Sequence, residues 1–173
     1  MWWRSPALFA AVVAGLAGLA LAGCGFSPLY GGTTAGGAKL AEVMAAVDVT
    51  PIPGRVGQKL RNELIFTNTG GGYAPPTRYK LDITVKESVT DQLVQITGDA
   101  TGQVYQLDAA FKLIDPANGR VVLQGKAISR APYNRFQEIF ANVRARYDAE
   151  NRAARTVSES IRTQVAAFLS NAA

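Results

Sequence analysis

The sequence predicts an α+β fold: a two-layer sandwich in which two helices pack on one face of an about four-stranded mixed sheet. Apolar and polar residues alternate in three segments between residues 79 and 128, and apolar residues recur at helical spacing in 56–65 and 140–169. The 173 residues are enough for one hydrophobic core. We therefore divide the chain into a signal peptide (1–23), a lipidated tether (24–38) and a single α+β domain (39–173).

The first segment is predicted to be a secretion signal that is removed from the mature protein. Arg4 gives it a positive start, residues 7–22 are apolar or glycine, and small residues follow at once. A transmembrane helix is the alternative, but such an Ala- and Gly-rich run is shorter than the roughly 20 residues that a span needs.

Cys24 is the only cysteine, so it cannot form a disulfide within the chain. The string Leu-Ala-Gly-Cys at 21–24 directly follows the apolar run and resembles the lipobox of bacterial lipoproteins. That resemblance implies cleavage between Gly23 and Cys24 and covalent acyl chains on Cys24, with no other cofactor. Several chains give a durable anchor where one gives only reversible binding. A small buried core cysteine is the alternative.

The first half of the mature chain is predicted to contain a tether, a strand and a helix. Residues 25–38 are rich in glycine and read as a flexible tether. Residues 42–52, ended by prolines, are predicted to form a first strand. Val56, Leu60 and Leu64 recur at four-residue spacing, which predicts an amphipathic helix that ends at the glycines 70–72.

Three alternating segments predict a meander of strands. The apolar set of Tyr79–Val85 is followed by that of Tyr105–Leu113, and Asp115–Gly119 is a strong hairpin turn. Val121, Leu123, Gly125 and Ala127 are expected to continue the buried face. The connection 91–102 either extends the first hairpin or forms a loop. The opposite face is expected to be exposed to solvent and to carry a net positive charge. Its side chains are those of Lys80, Asp82, Thr84, Lys86, Gln106, Asp108, Lys112, Gln124, Lys126 and Arg130.

The C-terminal third is predicted to be one long helix, because an apolar stripe runs through it without Pro or Gly. Its members are Phe140, Val143, Tyr147, Ala154, Val157, Ile161, Val165, Phe168 and Leu169. We expect the last part of this helix to lie on the sheet.

The composition argues against an enzyme and against a nucleic-acid partner. The chain has no histidine, which removes the commonest general base and the usual zinc sites, and its acids are scattered over predicted polar positions. We therefore expect no catalytic and no metal-binding residues. Only Arg4 of the 18 basic residues is lost with the signal, so the mature chain keeps an excess over 13 acids. This excess favours anionic partners, of which nucleic acid is disfavoured by export.

The lipobox, the string Gly-Phe-Ser-Pro-Leu-Tyr-Gly-Gly at 25–32 and the segment 51–64 together resemble the LptE family of lipopolysaccharide-assembly lipoproteins. Tyr79–Ile83, Tyr133-Asn134 and the Ala-, Arg- and Glu-rich stretch 149–162 fit the same family. The resemblance implies a protein on the periplasmic side of the outer membrane. There it would plug and support the LptD β-barrel and contact lipopolysaccharide.

The resemblance marks no ligand residues. From the charge of each residue and the side of the sheet on which it lies, we predict lipopolysaccharide contacts at Lys86, Lys112, Lys126 and Arg130. Lys112 is expected to be a diagonal neighbour of Lys126 across the hairpin. The alternative function is a lipid-anchored scaffold or accessory subunit of another envelope transport or secretion complex, without a lipid ligand.

Overall fold

The computed structural model describes residues 32–34, 36–94, 100–136 and 138–172. The signal peptide, Gly23, Cys24 and most of the tether lie outside these residues, as does the connection 95–99. The described chain folds into three helices and four strands. They are α1 (Leu40–Ala45), β1 (Val47–Val49), α2 (Gly54–Thr69), β2 (Tyr79–Val94), β3 (Ala100–Asp115), β4 (Arg120–Asn134) and α3 (Ile139–Ala172).

The four strands form one mixed sheet in the order β1-β2-β3-β4. β1 pairs in parallel with β2, and the later pairs are antiparallel, so the predicted fold class is confirmed. β2 and β3 are paired out to Val94 and Ala100, which extends the first hairpin as one of the two alternatives foresaw. The predicted turn joins β3 to β4, with Gly119 in the left-handed region at a φ of 68°.

The helices cover one face of the sheet, and the core lies between the two layers. Leu60 and Leu64 of α2 and Ile161 of α3 are completely buried, together with Leu107 and Leu113 of β3. The helical spacing of the apolar residues therefore identified the inward sides of both predicted helices correctly. Gly70 ends α2 in the left-handed conformation, as the glycine run predicted.

The predicted first strand at 42–52 is wrong over its first half. Residues Leu40–Ala45 form α1, and only Val47–Val49 are extended. Leu, Ala, Glu and Met all favour a helix, and Leu40, Val43 and Met44 are buried on one side of it. The prolines at 51 and 53 do end the strand where the sequence placed its stop.

The expected burial of Val121 is also wrong. Leu113 pairs with Leu123 while Ile114 pairs with Val121, so Val122 is an extra residue in β4. This bulge reverses the side on which the preceding side chain points, and Val121 is 48% exposed on the open face. Beyond the bulge, Ala127 and Ala131 return to the buried face.

The first two turns of α3 do not lie on the sheet. Phe140, Val143 and Tyr147 belong to the predicted apolar stripe, but they are 88%, 42% and 46% exposed. From Ala149 onward the same side of the helix is buried.

The two long edges of the sheet differ. Side chains of α3 cap outer carbonyl groups of β4: Gln164 Nε2 donates to the Lys126 carbonyl at 3.1 Å, and Arg152 donates to that of Pro132 at 2.9 Å. β1 covers β2 only along Tyr79–Leu81, and β2 continues to Val94. The Thr50 N–H still donates to the Leu81 carbonyl on this edge. Beyond Leu81, no described strand pairs with the outer edge of β2.

Candidate functional site on the open face of the sheet

The face that the helices leave uncovered carries the polar side chains that the alternation predicted. Lys80, Lys86, Lys112, Lys126 and Arg130 are all exposed there. The predicted wet, net positive face is therefore present, because side chains two residues apart along a strand share one side.

Three lysines on this face border two adjoining shallow hollows. Lys112 pairs with Gln124 and Ala110 pairs with Lys126, which puts the two lysines in the predicted diagonal relation. A groove of about 450 Å³ is lined by both. A neighbouring hollow of about 330 Å³ is lined by Lys86 and Lys126. Thr84 and Ala110 belong to both hollows, and their small side chains leave this space between the lysines.

Two acids of this face, Asp82 and Asp108, are bonded to neutral partners. Thr50 Oγ1 donates to Asp82 Oδ1 at 3.1 Å, and Gln106 Nε2 donates to both oxygens of Asp108 at 3.1 and 3.0 Å. Although Asp82 and Asp108 are cross-strand neighbours of lysines, no described lysine of this face makes an ion pair within 4.0 Å. The ammonium groups of Lys86, Lys112 and Lys126 are therefore available to an external anion.

Arg130 lies on the same face but outside the groove. Its Nε donates to Gln106 Oε1 at 2.9 Å, and it lines neither of the two hollows. Ile128 stands between Lys126 and Arg130 along β4 and is 58% exposed. The open face thus offers an apolar wall as well as cations, a feature that charge alone did not predict.

A second polar cluster, centred on Glu150, joins α2 to α3. This carboxylate is 5% exposed and accepts hydrogen bonds from Arg55 and from Arg146 Nε, the latter at 2.8 Å. The bond to Glu150 raises the pKa of Arg146. The Arg55 guanidinium also lies 4.4 Å from the Tyr147 ring centroid. The four-residue spacing of Arg146 and Glu150 was visible in the sequence, whereas Arg55 comes from a distant segment.

Tyr105 is a buried polar group beneath the helix layer. Its hydroxyl donates to Glu87 Oε2 at 2.8 Å. Burial, reinforced by this bond, raises the pKa of Tyr105, so the hydroxyl keeps its proton throughout the neutral range. It acts here as a packed hydrogen-bond donor.

Two further properties of the described ranges bear on function. No cluster of three or more Asp, Glu, Cys or His side chains in them could hold a metal ion. None of their helices is both long enough and apolar enough to cross a membrane.

Solved structures share this fold. A candidate lipoprotein from Caulobacter crescentus CB15 superposes with a TM-score of 0.63 at 20% identity, covering 75% of this chain and 95% of that one. Uncharacterized lipoprotein B from Nitrosomonas europaea gives 0.50 at 17% identity, with coverage of 70% and 82%. Rare lipoprotein B from Shewanella oneidensis gives 0.49 at 13% identity, with coverage of 70% and 96%.

At these identities the likeness shows the fold alone. The chain has an α+β fold that occurs in small bacterial lipoproteins, as in the first two of these structures. No family model matches the sequence, and no curated protein matches it.

Proposed function

We propose that this protein is a lipid-anchored lipoprotein of the outer membrane that assists lipopolysaccharide assembly and has no enzymatic activity. In this proposal it supports and plugs an LptD-type β-barrel from the periplasmic side and contacts lipopolysaccharide with the open face of its sheet. The lipobox at Cys24 and the fold shared with bacterial lipoproteins support the anchored half of the proposal.

The observation that carries the proposal is the set of lysines around the groove. Lys112 and Lys126 line the groove, Lys86 and Lys126 line the neighbouring hollow, and none of the three has an ion-pair partner among the described residues. The phosphate groups of lipopolysaccharide are anions that such lysines can bind by charge-assisted hydrogen bonds. Ile128 beside them provides apolar contact for an amphipathic ligand.

A double charge reversal tests the lipid half of the proposal. Lys112→Glu with Lys126→Glu should weaken lipopolysaccharide binding about a hundredfold or more, since charge-assisted bonds contribute roughly 1.5–3 kcal/mol each. The salt dependence of binding should flatten, because fewer screened charges remain at the site. Titration of purified protein with lipopolysaccharide at low and moderate salt measures both effects.

A matched control makes the same change of charge away from the groove. Lys39→Glu with Arg120→Glu alters two exposed residues and should leave binding almost unchanged. Thermal melting shows whether each variant is folded. Unchanged affinity in a folded Lys112/Lys126 variant would disprove this face as the ligand site.

The proposed interaction with an LptD-type β-barrel has its own test. Crosslinking in cells followed by purification through the lipoprotein should recover an outer-membrane β-barrel. Recovery of a different envelope complex, without lipopolysaccharide binding, would instead support the scaffold alternative.

A further inference from the structure

The first two turns of α3 carry an exposed apolar stripe, which the described chain contacts at its C-terminal end through the Arg55 guanidinium over the Tyr147 ring. Ile139, Phe140, Val143 and Tyr147 recur at helical spacing and are between 42% and 88% exposed. Phe136 joins them just before the helix and is 47% exposed. The Asn142 side chain bonds to both the N–H and the carbonyl of Phe136, which fixes this residue against the first turn.

This stripe is the continuation of the side that is buried further along the helix. Val157, Ile161 and Val165 lie on that side and are at most 1% exposed. Arg152 contacts the Pro132 carbonyl near the end of β4, and the helix begins 13 residues earlier, or about 20 Å along its axis. The helix therefore extends beyond its contact with β4 and keeps its apolar pattern there. A helical segment exposed only to solvent would carry polar residues on this side.

Basic residues border the stripe. Arg135 and Arg144 are exposed and make no ion pair among the described residues, while Arg146 is occupied by Glu150. Glu138 is the one acid between Phe136 and Tyr147. The border is thus net positive, and the long arginine side chains can bury their stems while their charged ends stay at a polar surface.

We propose that this stripe inserts into the headgroup region of a bilayer that contains anionic phospholipid. A helical segment with exposed aromatic and aliphatic residues and arginines beside them has the composition of an interfacial membrane contact. The inference rests on the lipid anchor of the proposed function, because acyl chains on Cys24 hold the domain close to the bilayer surface. Held there, a few inserted side chains suffice as a second contact, since the insertion is an intramolecular step.

Tryptophan fluorescence can test the insertion in the full protein. The only tryptophans are Trp2 and Trp3 in the predicted signal, so the unmodified protein gives the background. In protein purified from membranes and reconstituted into vesicles of brominated phosphatidylglycerol and phosphatidylcholine, Phe140→Trp should show blue-shifted emission and quenching by the bromines. Phe66→Trp, at an exposed position of α2, is the matched control and should show neither.

The charge border is tested in the same background. Arg144→Gln should lower the ratio of inserted to free stripe about fivefold in anionic vesicles, because one basic residue near such a surface contributes about 1 kcal/mol. Arg120→Gln, in the distant hairpin turn, should have no effect. Quenching equal to that in phosphatidylcholine alone would refute the requirement for anionic lipid.

Two results would overturn the proposal. One is a Phe140→Trp emission that stays water-like in every vesicle. The other is a blue shift that appears without lipid and grows with protein concentration, which would mean that a second copy or another protein covers the stripe. Lys112→Glu with Lys126→Glu should leave the quenching intact, so a failure of the lipopolysaccharide proposal is distinguishable from a failure of this one.

Discussion

Two glycines lie where any larger side chain would collide with the core. A Cβ at Gly57 would lie 2.7 Å from Ile52 Cγ2 and 2.9 Å from the Ile52 carbonyl oxygen. A Cβ at Gly125 would lie 2.5 Å from Phe111 Cζ. The obstacle at Gly57 includes backbone, which cannot rotate away, so Gly57 allows the buried Ile52 to pack beneath α2.

We predict that Gly57→Ala destabilises the domain by about 1–3 kcal/mol, as overpacking does. This outcome runs against helix propensity, which favours alanine over glycine by about 1 kcal/mol in a helix interior. Gln58→Ala, at the exposed neighbouring position, is the control and should be neutral or slightly stabilising. Urea denaturation followed by circular dichroism measures both, and equal stabilities would contradict the assigned contact.

For single residues, the sequence predicted well on which side of the sheet a side chain lies. It predicted bulges and side-chain hydrogen bonds poorly. Lys112 and Lys126 were placed correctly because a strand alternates with a fixed period and the bulge at Val122 shifts the register set by the Asp115–Gly119 turn by only one residue. Val121 was misplaced because nothing in its neighbours signals the extra Val122. The partners of Asp82 and Asp108 were also hidden, since a hydrogen bond between side chains depends on distances that spacing does not give.

The helices α2 and α3 are held to the sheet by their apolar stripes. Leu64 and Ile161 are each completely buried, one on each helix. α1 was mistaken for a strand because a six-residue segment is too short for the helical and strand periods to be separated. The uncovered start of α3 was also not predictable, because periodicity identifies an apolar side but not the length of sheet available to cover it.

Leu64→Asp and Ile161→Asp are each predicted to unfold the domain, because each buries a charge without a partner at a cost of several kcal/mol. Lys59→Asp should be mild: Lys59 is on the outer side of α2, and its ion pair with Glu63 at 3.3 Å contributes little. Thermal melting monitored by circular dichroism compares the three. If both stripe variants melt like the unmodified protein, the inward sides of the helices are assigned wrongly.

At the scale of the whole molecule, the predicted anchor at Cys24 would decide where the domain works. The single core and the order of the elements after α1 could be predicted, because each of the longer elements has its own hydrophobic period and ends at glycine, proline or turn residues. The groove could not, because it depends on the small side chains of Thr84 and Ala110 on neighbouring strands. Cys24 remains a prediction from the lipobox.

Cys24→Ala is predicted to leave an uncleaved and unacylated precursor, because the cysteine is both the acyl acceptor and the residue that defines the cut. Mass spectrometry of the membrane fraction should find the unmodified mature chain beginning at Cys24 with acyl chains attached. A mature chain that begins elsewhere, or one without acyl mass, would refute the lipoprotein assignment.

The unequal edges of the sheet limit how copies of this protein can polymerise. An endless fibre of stacked sheets needs two receptive edges on every copy, so that each molecule adds to the last. Here Gln164 and Arg152 occupy two carbonyls on the outer edge of β4, whereas within the described ranges the outer edge of β2 has no strand partner beyond Leu81. Edge pairing through β2 alone closes on itself after two molecules, and growth beyond such a dimer would require the β4 edge to give up its bonds to Gln164 and Arg152.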